Sequence, residues 1–153
     1  MSTPEKKSHV NLNNAKRPGD TKYRSVIQQI ENDKVCPFCI EHLLKYHKKP
    51  ILKQGKFWVV TTNMYPYKNA KFHFLFIHKE HVTDTENMSP ESFAELHQHI
   101  NWLIKENNIS GGTLMMRCGN TAETGATVTH IHAHFIVADF NNPNREEILA
   151  RVG

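Results

Sequence analysis

The sequence predicts an α+β domain in which an antiparallel β-sheet packs against one long helix. Three features point that way. Several short runs rich in β-branched and aromatic residues are bounded by Gly, Pro or Asn, as strands are. Only one segment, MSPESFAELHQHINWLIKENN, sustains helical spacing over several turns. Near the C-terminal end, VTHIHAHFIV alternates imidazole and apolar side chains, the period of two of an extended strand.

In chain order, residues 1–24 read as a disordered basic leader and residues 25–153 as the folded domain. The leader is polar and poor in apolar residues. Lys6, Lys7, Lys16, Arg17, Lys22 and Arg24 stand there against only Glu5 and Asp20, which accounts for the formal charge of +4 of the whole 153-residue chain. The body is neutral, so the excess charge is no sign of a specific nucleic-acid partner. YRSVIQQIEND offers Val26, Ile27 and Ile30 for a short helix, VCPFC is a tight turn, and EHLLKYH is another helical turn before Pro50. KFWVVTT (56–62) reads as a strand after Gly55. KFHFLFIH (71–78) reads as a central strand covered on both faces, with Phe72, Phe74 and Phe76 opposite His73, Leu75 and Ile77.

Ser89 can cap the long helix, Pro90 suits its first turn, and Phe93, Leu96, Ile100, Leu103 and Ile104 form its apolar stripe. Gly111 and Gly112 mark its end. TLMMRC (113–118) is a strand, GNTAETGAT a polar loop, VTHIHAHFIVADF the last strong strand, and NNPNREEILARVG a loop with a short helix. His42 and His47 read as surface positions, and at most one of His97 and His99 can face the core. No apolar run approaches the ~20 residues of a membrane helix, and the first residues lack a secretory signal. A cytoplasmic location with no membrane partner is the expectation.

The chemistry gathers at His130, His132 and His134. They share one strand face, about 7 Å apart between neighbours and about 13 Å between the outer two. One metal with bonds of about 2 Å could take an H-x-H pair but not all three. A metal-dependent hydrolase built on that pair would need a third ligand, usually a carboxylate, and no acidic residue lies beside the triad before Asp139. The preceding loop has Gly119 and Gly125 for close backbone approach and Thr121, Thr124 and Thr127 as hydroxyl donors, a composition suited to an anion-binding nest. Cys36 and Cys39 are spaced C-x-x-C, which outside an oxidising compartment points to metal or redox chemistry. A thioredoxin-like reading wants a βαβ setting that is absent here.

The run H-I-H-A-H-F-I, its lead-in G-A-T-V-T, C-P-F-C, N-M-Y-P-Y and H-F-L-F-I-H-K-E-H occur in an order that resembles the histidine triad family of nucleotide hydrolases and transferases. The resemblance covers roughly residues 35–138. It implies an antiparallel sheet with a packed helix, a homodimer formed through that helix and an adjoining strand, and attack by His132 on the α-phosphorus of a nucleotide. It further implies that the His130 carbonyl orients His132 and that His134 polarises a phosphate oxygen. Thr127 would donate on the leaving-group side, Asn120, Gly125 and Ala126 would cradle phosphate oxygens, and Asn63 would bind the ribose. By the pattern of zinc-bearing relatives, including galactose phosphate uridylyltransferases, Cys36, Cys39, His81 and His130 would hold a structural zinc ion. His73, His78 and Cys118 are competing ligands.

Two departures bear on substrate class. Ala126 stands where many members carry Gln, and FIVADFNNP lacks the Pro-Arg that follows the triad in dinucleoside-polyphosphate hydrolases. A uridylyltransferase is disfavoured by H-I-H-A-H in place of H-P-H-x-Q. A catalytically silent, zinc-stabilised nucleotide-binding protein is the non-enzymatic rival.

Overall fold

The computed structural model describes residues 8–16 and 20–153. Its elements are helix α1 (Thr21–Asp33), helix α2 (Ile40–Tyr46), strands β1 (Ile51–Gln54), β2 (Trp58–Thr62) and β3 (Ala70–His78), helix α3 (Pro90–Glu106), strand β4 (Thr113–Met116), the single turn α4 (Thr121–Thr124) and strand β5 (His132–Ala138). Short 3₁₀ turns occupy Leu12–Asn14 and Thr85–Asn87. The strands form one antiparallel sheet in the order β1-β2-β3-β5-β4. This is the α+β class that the sequence predicts.

The sheet is covered on both faces because its central strands alternate two apolar sets. Phe74 and Phe76 of β3, Trp58 and Val60 of β2, and Ala133 and Phe135 of β5 meet Leu96 and Leu103 of α3. On the opposite face Val59, Leu75 and Ile77 pack with Leu43 of α2. The register sets Leu75 opposite His134 and Ile77 opposite His132. The histidines of β5 therefore share the α2 face, away from α3.

Ser89 caps α3, its side chain accepting from Ser92 N–H, and Pro90 occupies the first turn. The buried stripe of α3 is Ser92, Leu96, His99 and Leu103. Phe93 lies to its side and is 41% exposed. The helix stops at Glu106, before the glycine pair, because Asn108 takes the left-handed conformation (φ 50°) that Asn tolerates. Glu95 ties α3 to the β1–β2 turn. Its carboxylate accepts from the backbone N–H groups of Lys56, Phe57 and Trp58 at 2.9–3.1 Å. A Cβ on Gly55 would lie 1.9 Å from Glu95 Oε1, so this approach requires glycine there.

Three expectations are corrected. Among the described residues of the stretch read as a disordered leader, Val10 bridges Val128, Val10 and Ala15 are buried, and α1 begins at Thr21 behind an Asp20 cap. Asparagines do much of this docking: Asn14 Nδ2 donates to the Thr121 and Ala126 carbonyls at 2.8 Å, and Asn11 Nδ2 to Thr121 Oγ1 at 3.1 Å. Lys6, Lys7 and Arg17 lie outside the described residues. No helix forms in NNPNREEILARVG, where Leu149 and Val152 are both 83% exposed and have no apolar face to join. His47 is buried rather than superficial: its ring contacts Thr61 Oγ1 at 2.7 Å, and burial pushes its pKa down to about 4. Among the described residues no helix is long and apolar enough to cross a membrane.

Removing the Glu95 carboxylate leaves three turn amides without their acceptor. Glu95→Ala should lower the unfolding free energy by about 2–4 kcal/mol, given the strength of hydrogen bonds to charged groups. Urea denaturation checks this, and a loss below about 0.5 kcal/mol, the size of an ordinary surface change, would contradict it.

Candidate active site and metal centre

The turn Cys36–Cys39 between α1 and α2 lies against the chain that leads into β5. There Cys36, Cys39, His81 and His130 bring one ligand atom each within 4.8 Å of all the others. Cys36 Sγ and His130 Nδ1 are 3.4 Å apart, Cys39 Sγ and His81 Nδ1 3.3 Å, Cys39 Sγ and His130 Nδ1 3.8 Å, and the two Nδ1 atoms 3.2 Å. A tetrahedral ion bound by sulfur at about 2.3 Å and nitrogen at about 2.0–2.1 Å separates its donors by about 3.3–3.8 Å. The donor set fits such an ion, and its S₂N₂ chemistry suits zinc.

Protonation agrees with that fit. His130 Nε2 donates to the His78 carbonyl at 2.5 Å, so a neutral His130 turns its Nδ1 lone pair toward the cluster. Burial holds His130 neutral, its pKa pushed down to about 3. Burial and then the Cys36 thiol push Cys39 up to about 12, and burial raises Cys36 as well. A bound cation reverses that preference and stabilises both thiolates. The competing ligands stay apart from this group: His73 faces His134, His78 Nδ1 meets the Glu80 carbonyl, and Cys118 is exposed.

Two residues after His130, the strand presents His132 to a different space. His132 Nδ1 lies 2.8 Å from the His130 carbonyl oxygen. A carbonyl only accepts, so Nδ1 carries the proton and Nε2 keeps its lone pair for the cavity that His132 lines. Burial, with Arg117's charge adding, pushes the His132 pKa down to about 4 against the opposing pull of that carbonyl. The ring is neutral at pH 7. His130 and His132 thus serve separate environments and do not converge on one ion as an H-x-H chelate.

His134 is set by a residue that sequence reasoning treated only as a possible metal ligand. Tyr67 N–H donates to His73 Nδ1 at 3.1 Å. His73 Nε2 lies 2.8 Å from His134 Nδ1 and 3.2 Å from Asn63 Nδ2, so the two rings are joined by a hydrogen bond behind the cavity that His134 lines. The period-two pattern of KFHFLFIH and its pairing beside the triad strand were the signals for His73.

The cavity holds about 220 Å³. One wall is apolar, with Val26, Ile27 and Ile30 from α1, Phe38, Tyr46 and Leu75. Another is polar, with Asn14, Lys16, Arg117, Gly125, Thr127 and Arg151, and among the described residues no acidic side chain lines it. The Thr127 hydroxyl accepts from Tyr23 OH at 3.0 Å and lies 3.4 Å from the Asn14 carbonyl. Asn63 lines the cavity, its Oδ1 accepting from Tyr65 N–H and its Nδ2 in contact with His73.

Two residues assigned to the phosphate cradle are elsewhere. Asn120 caps α4 through Ala122 N–H and borders a separate surface depression, because the loop folds into a helical turn. Ala126 is buried and does not line the cavity. Gly125 does line it, in the left-handed conformation (φ 75°) that ends α4. Arg117, Arg151, Lys16 and Tyr23 are cavity residues that the sequence reading did not single out. For Arg117 the available signal was its place just after a strand that borders the triad.

The strand expected over 128–140 begins only at His132, so His130 sits in the bend before β5 and His132 and His134 alone share its face. That strand, a C-x-x-C turn closed by His81 and His130, and a cavity at the second and third triad members define a histidine triad protein. A family model described as scavenger mRNA decapping enzyme C-term binding matches residues 35–149, and the chain belongs to the histidine triad family. Solved structures are similar in fold. A HIT family hydrolase from Clostridium thermocellum shares 24% identity over 74% of this chain and 96% of its own, with a TM-score of 0.55. A histidine triad protein from Clostridium difficile shares 23% over 72% and 96%, with a TM-score of 0.54. A diadenosine triphosphate hydrolase from Plasmodium falciparum, in complex with cyclomarin A, shares 19% over 64% and 67%, with a TM-score of 0.51. No curated protein matches the chain.

The donor set predicts about one zinc ion per chain. Cys36→Ser should lower both metal content and the melting temperature, by roughly 10 °C if about 3 kcal/mol is lost. Metal analysis and calorimetry check this; a metal-free wild type that melts like the metal-loaded protein would contradict it.

Proposed function

We propose that the chain is a nucleotide hydrolase or nucleotidyl transferase that cleaves at the α-phosphate through a nucleotidyl intermediate on His132. The observation that carries the reading is the hydrogen bond from His132 Nδ1–H to the His130 carbonyl. It gives a neutral imidazole whose Nε2 lone pair is available as a nucleophile at pH 7. In the first step Nε2 forms a bond to the α-phosphorus as the bond to the leaving group breaks; a phosphate departs as its anion, and an amine takes a proton from solvent. In the second, water attacks phosphorus and gives up a proton to solvent, the P–N bond breaks, and a nucleoside monophosphate and neutral His132 are regenerated. An alcohol or phosphate in place of water makes the same sequence a transfer.

His134, which lines the cavity and is hydrogen-bonded to His73 behind it, is suited to bind a non-bridging phosphate oxygen. Thr127 and Gly125 would contact the phosphate from the polar wall, the apolar wall would take the base, and Asn63 the ribose. Asn120 and Ala126 have no place in this scheme. The likeness to a HIT family hydrolase supports hydrolysis, and the likeness to a diadenosine triphosphate hydrolase supports a nucleotide substrate. The Cys36, Cys39, His81 and His130 group would hold a structural zinc ion, with no ligand position left for substrate.

The assembly we propose is a homodimer, supported by the outer edge of β4, where Leu114 is 48% exposed, and by exposed Phe93 on α3.

His132→Asn keeps a polar side chain but removes the nucleophile, so kcat on adenosine and guanosine phosphoramidates and dinucleoside polyphosphates should fall on the order of 10⁴–10⁶-fold. Acid-labile label from an α-labelled nucleotide should be trapped on wild type and absent from the variant. Label persisting on His132→Asn would contradict the assignment, and a wild type that binds nucleotide without turnover would favour the non-enzymatic rival.

A further inference from the structure

The polar wall of the cavity holds more positive charge than one α-phosphate needs. Arg117 follows β4 and lines the same cavity as His132. Its Nη2 donates to the Arg151 carbonyl at 2.5 Å, while its Nε is buried without a hydrogen-bond partner. Arg151 in turn donates from Nη2 to the Asn14 carbonyl at 3.0 Å, beside the Thr127 hydroxyl. The backbone of Gly153 lies against Gly125, where an added Cβ would meet Gly153 O at 3.3 Å. This contact draws the last residues of the chain over the polar wall. Among the described residues neither guanidinium has a carboxylate within 4.0 Å, and Lys16 lines the same cavity.

The Arg117 guanidinium is tied to the main chain of Arg151 and the Arg151 guanidinium to that of Asn14, so both cations are fixed at one cavity by neutral carbonyls that leave their charge uncompensated. An anion with several oxygens compensates that charge, and the guanidinium fork suits phosphate in particular. His132 and His134 already suffice for the α-phosphate. We infer that Arg117 and Arg151 form a cationic subsite for phosphates beyond the α position. These two residues would then determine specificity, selecting nucleotides whose leaving group is itself a phosphate chain over those that release an amine. This rests on the proposed attack by His132. It also answers for Ala126, which offers no side-chain donor on the leaving-group side: the donors come instead from Arg117 and Arg151.

The test compares kcat/KM for dinucleoside triphosphates and nucleoside 5′-phosphoramidates, with adenosine and guanosine series in parallel, on wild type, Arg117→Gln, Arg117→Lys and Arg151→Gln. Wild type should prefer the triphosphates. Arg117→Gln should lose about ten- to a hundredfold more on the triphosphate than on the phosphoramidate, as loss of a charge-assisted hydrogen bond to phosphate would. Arg117→Lys should recover part of the loss, because it restores charge without the fork. Exposed Arg151 gives a variant that should fold even if Arg117→Gln does not. Equal losses on both substrates, or a wild-type preference for the phosphoramidate, would overturn the inference while leaving the nucleophile untouched. If neither substrate turns over, the proposed function fails, and calorimetry of ATP against AMP decides the subsite separately. Binding of ATP about tenfold tighter, lost in Arg151→Gln, supports it; equal affinities overturn it.

Discussion

His130 makes three interactions at once, and the rest of the site depends on their compatibility. Its Nε2–H bonds the His78 carbonyl, its Nδ1 faces the two thiols and His81, and its own carbonyl oxygen accepts the proton of His132. Rotation of the His130 peptide would break the last of these, and displacement of its ring would open the cysteine–histidine group. The C-x-x-C turn and the candidate nucleophile are thus joined through one residue whose side chain and main chain have different tasks. The antiparallel pairing of β3 with β5 supplies the frame, since the His78 carbonyl at the end of β3 meets the triad just as β5 begins.

The same economy governs the imidazoles of the cavity. His132 Nδ1 is committed to a carbonyl, so its remaining nitrogen keeps a lone pair, while two residues on His134 Nδ1 is joined to His73 Nε2. Among the described residues no acidic side chain lines the cavity to pull His132 toward the charged form. Positive charge is instead gathered at Arg117 and Arg151, where it opposes protonation of His132 and favours an anionic ligand.

Much of this was legible in the sequence because its chemistry is dense and regularly spaced. Period-two histidines read as one strand face, and C-x-x-C with spare histidines read as a ligand group. The long helix also carried its own cap and stripe. What stayed hidden depends on interactions that composition does not register. Asn11 docks through its amide to the Thr121 hydroxyl and Asn14 to two loop carbonyls, so a polar segment becomes part of the cavity wall. His73 gains its meaning only from the register of two strands, and Arg117 and Arg151 are 34 residues apart in the chain. At Asn120 the loop's own capping preference outweighed a role in the cradle.

The central claim is that His132 is a neutral imidazole with its proton on Nδ1 and a free lone pair on Nε2. Long-range proton–nitrogen correlation spectra of histidine-labelled protein at pH 7, with His132→Asn used for assignment, read that tautomer directly. The account predicts a protonated, pyrrole-like Nδ1 and an unprotonated, pyridine-like Nε2 for His132. A proton on Nε2, or a doubly protonated ring at that pH, would contradict it.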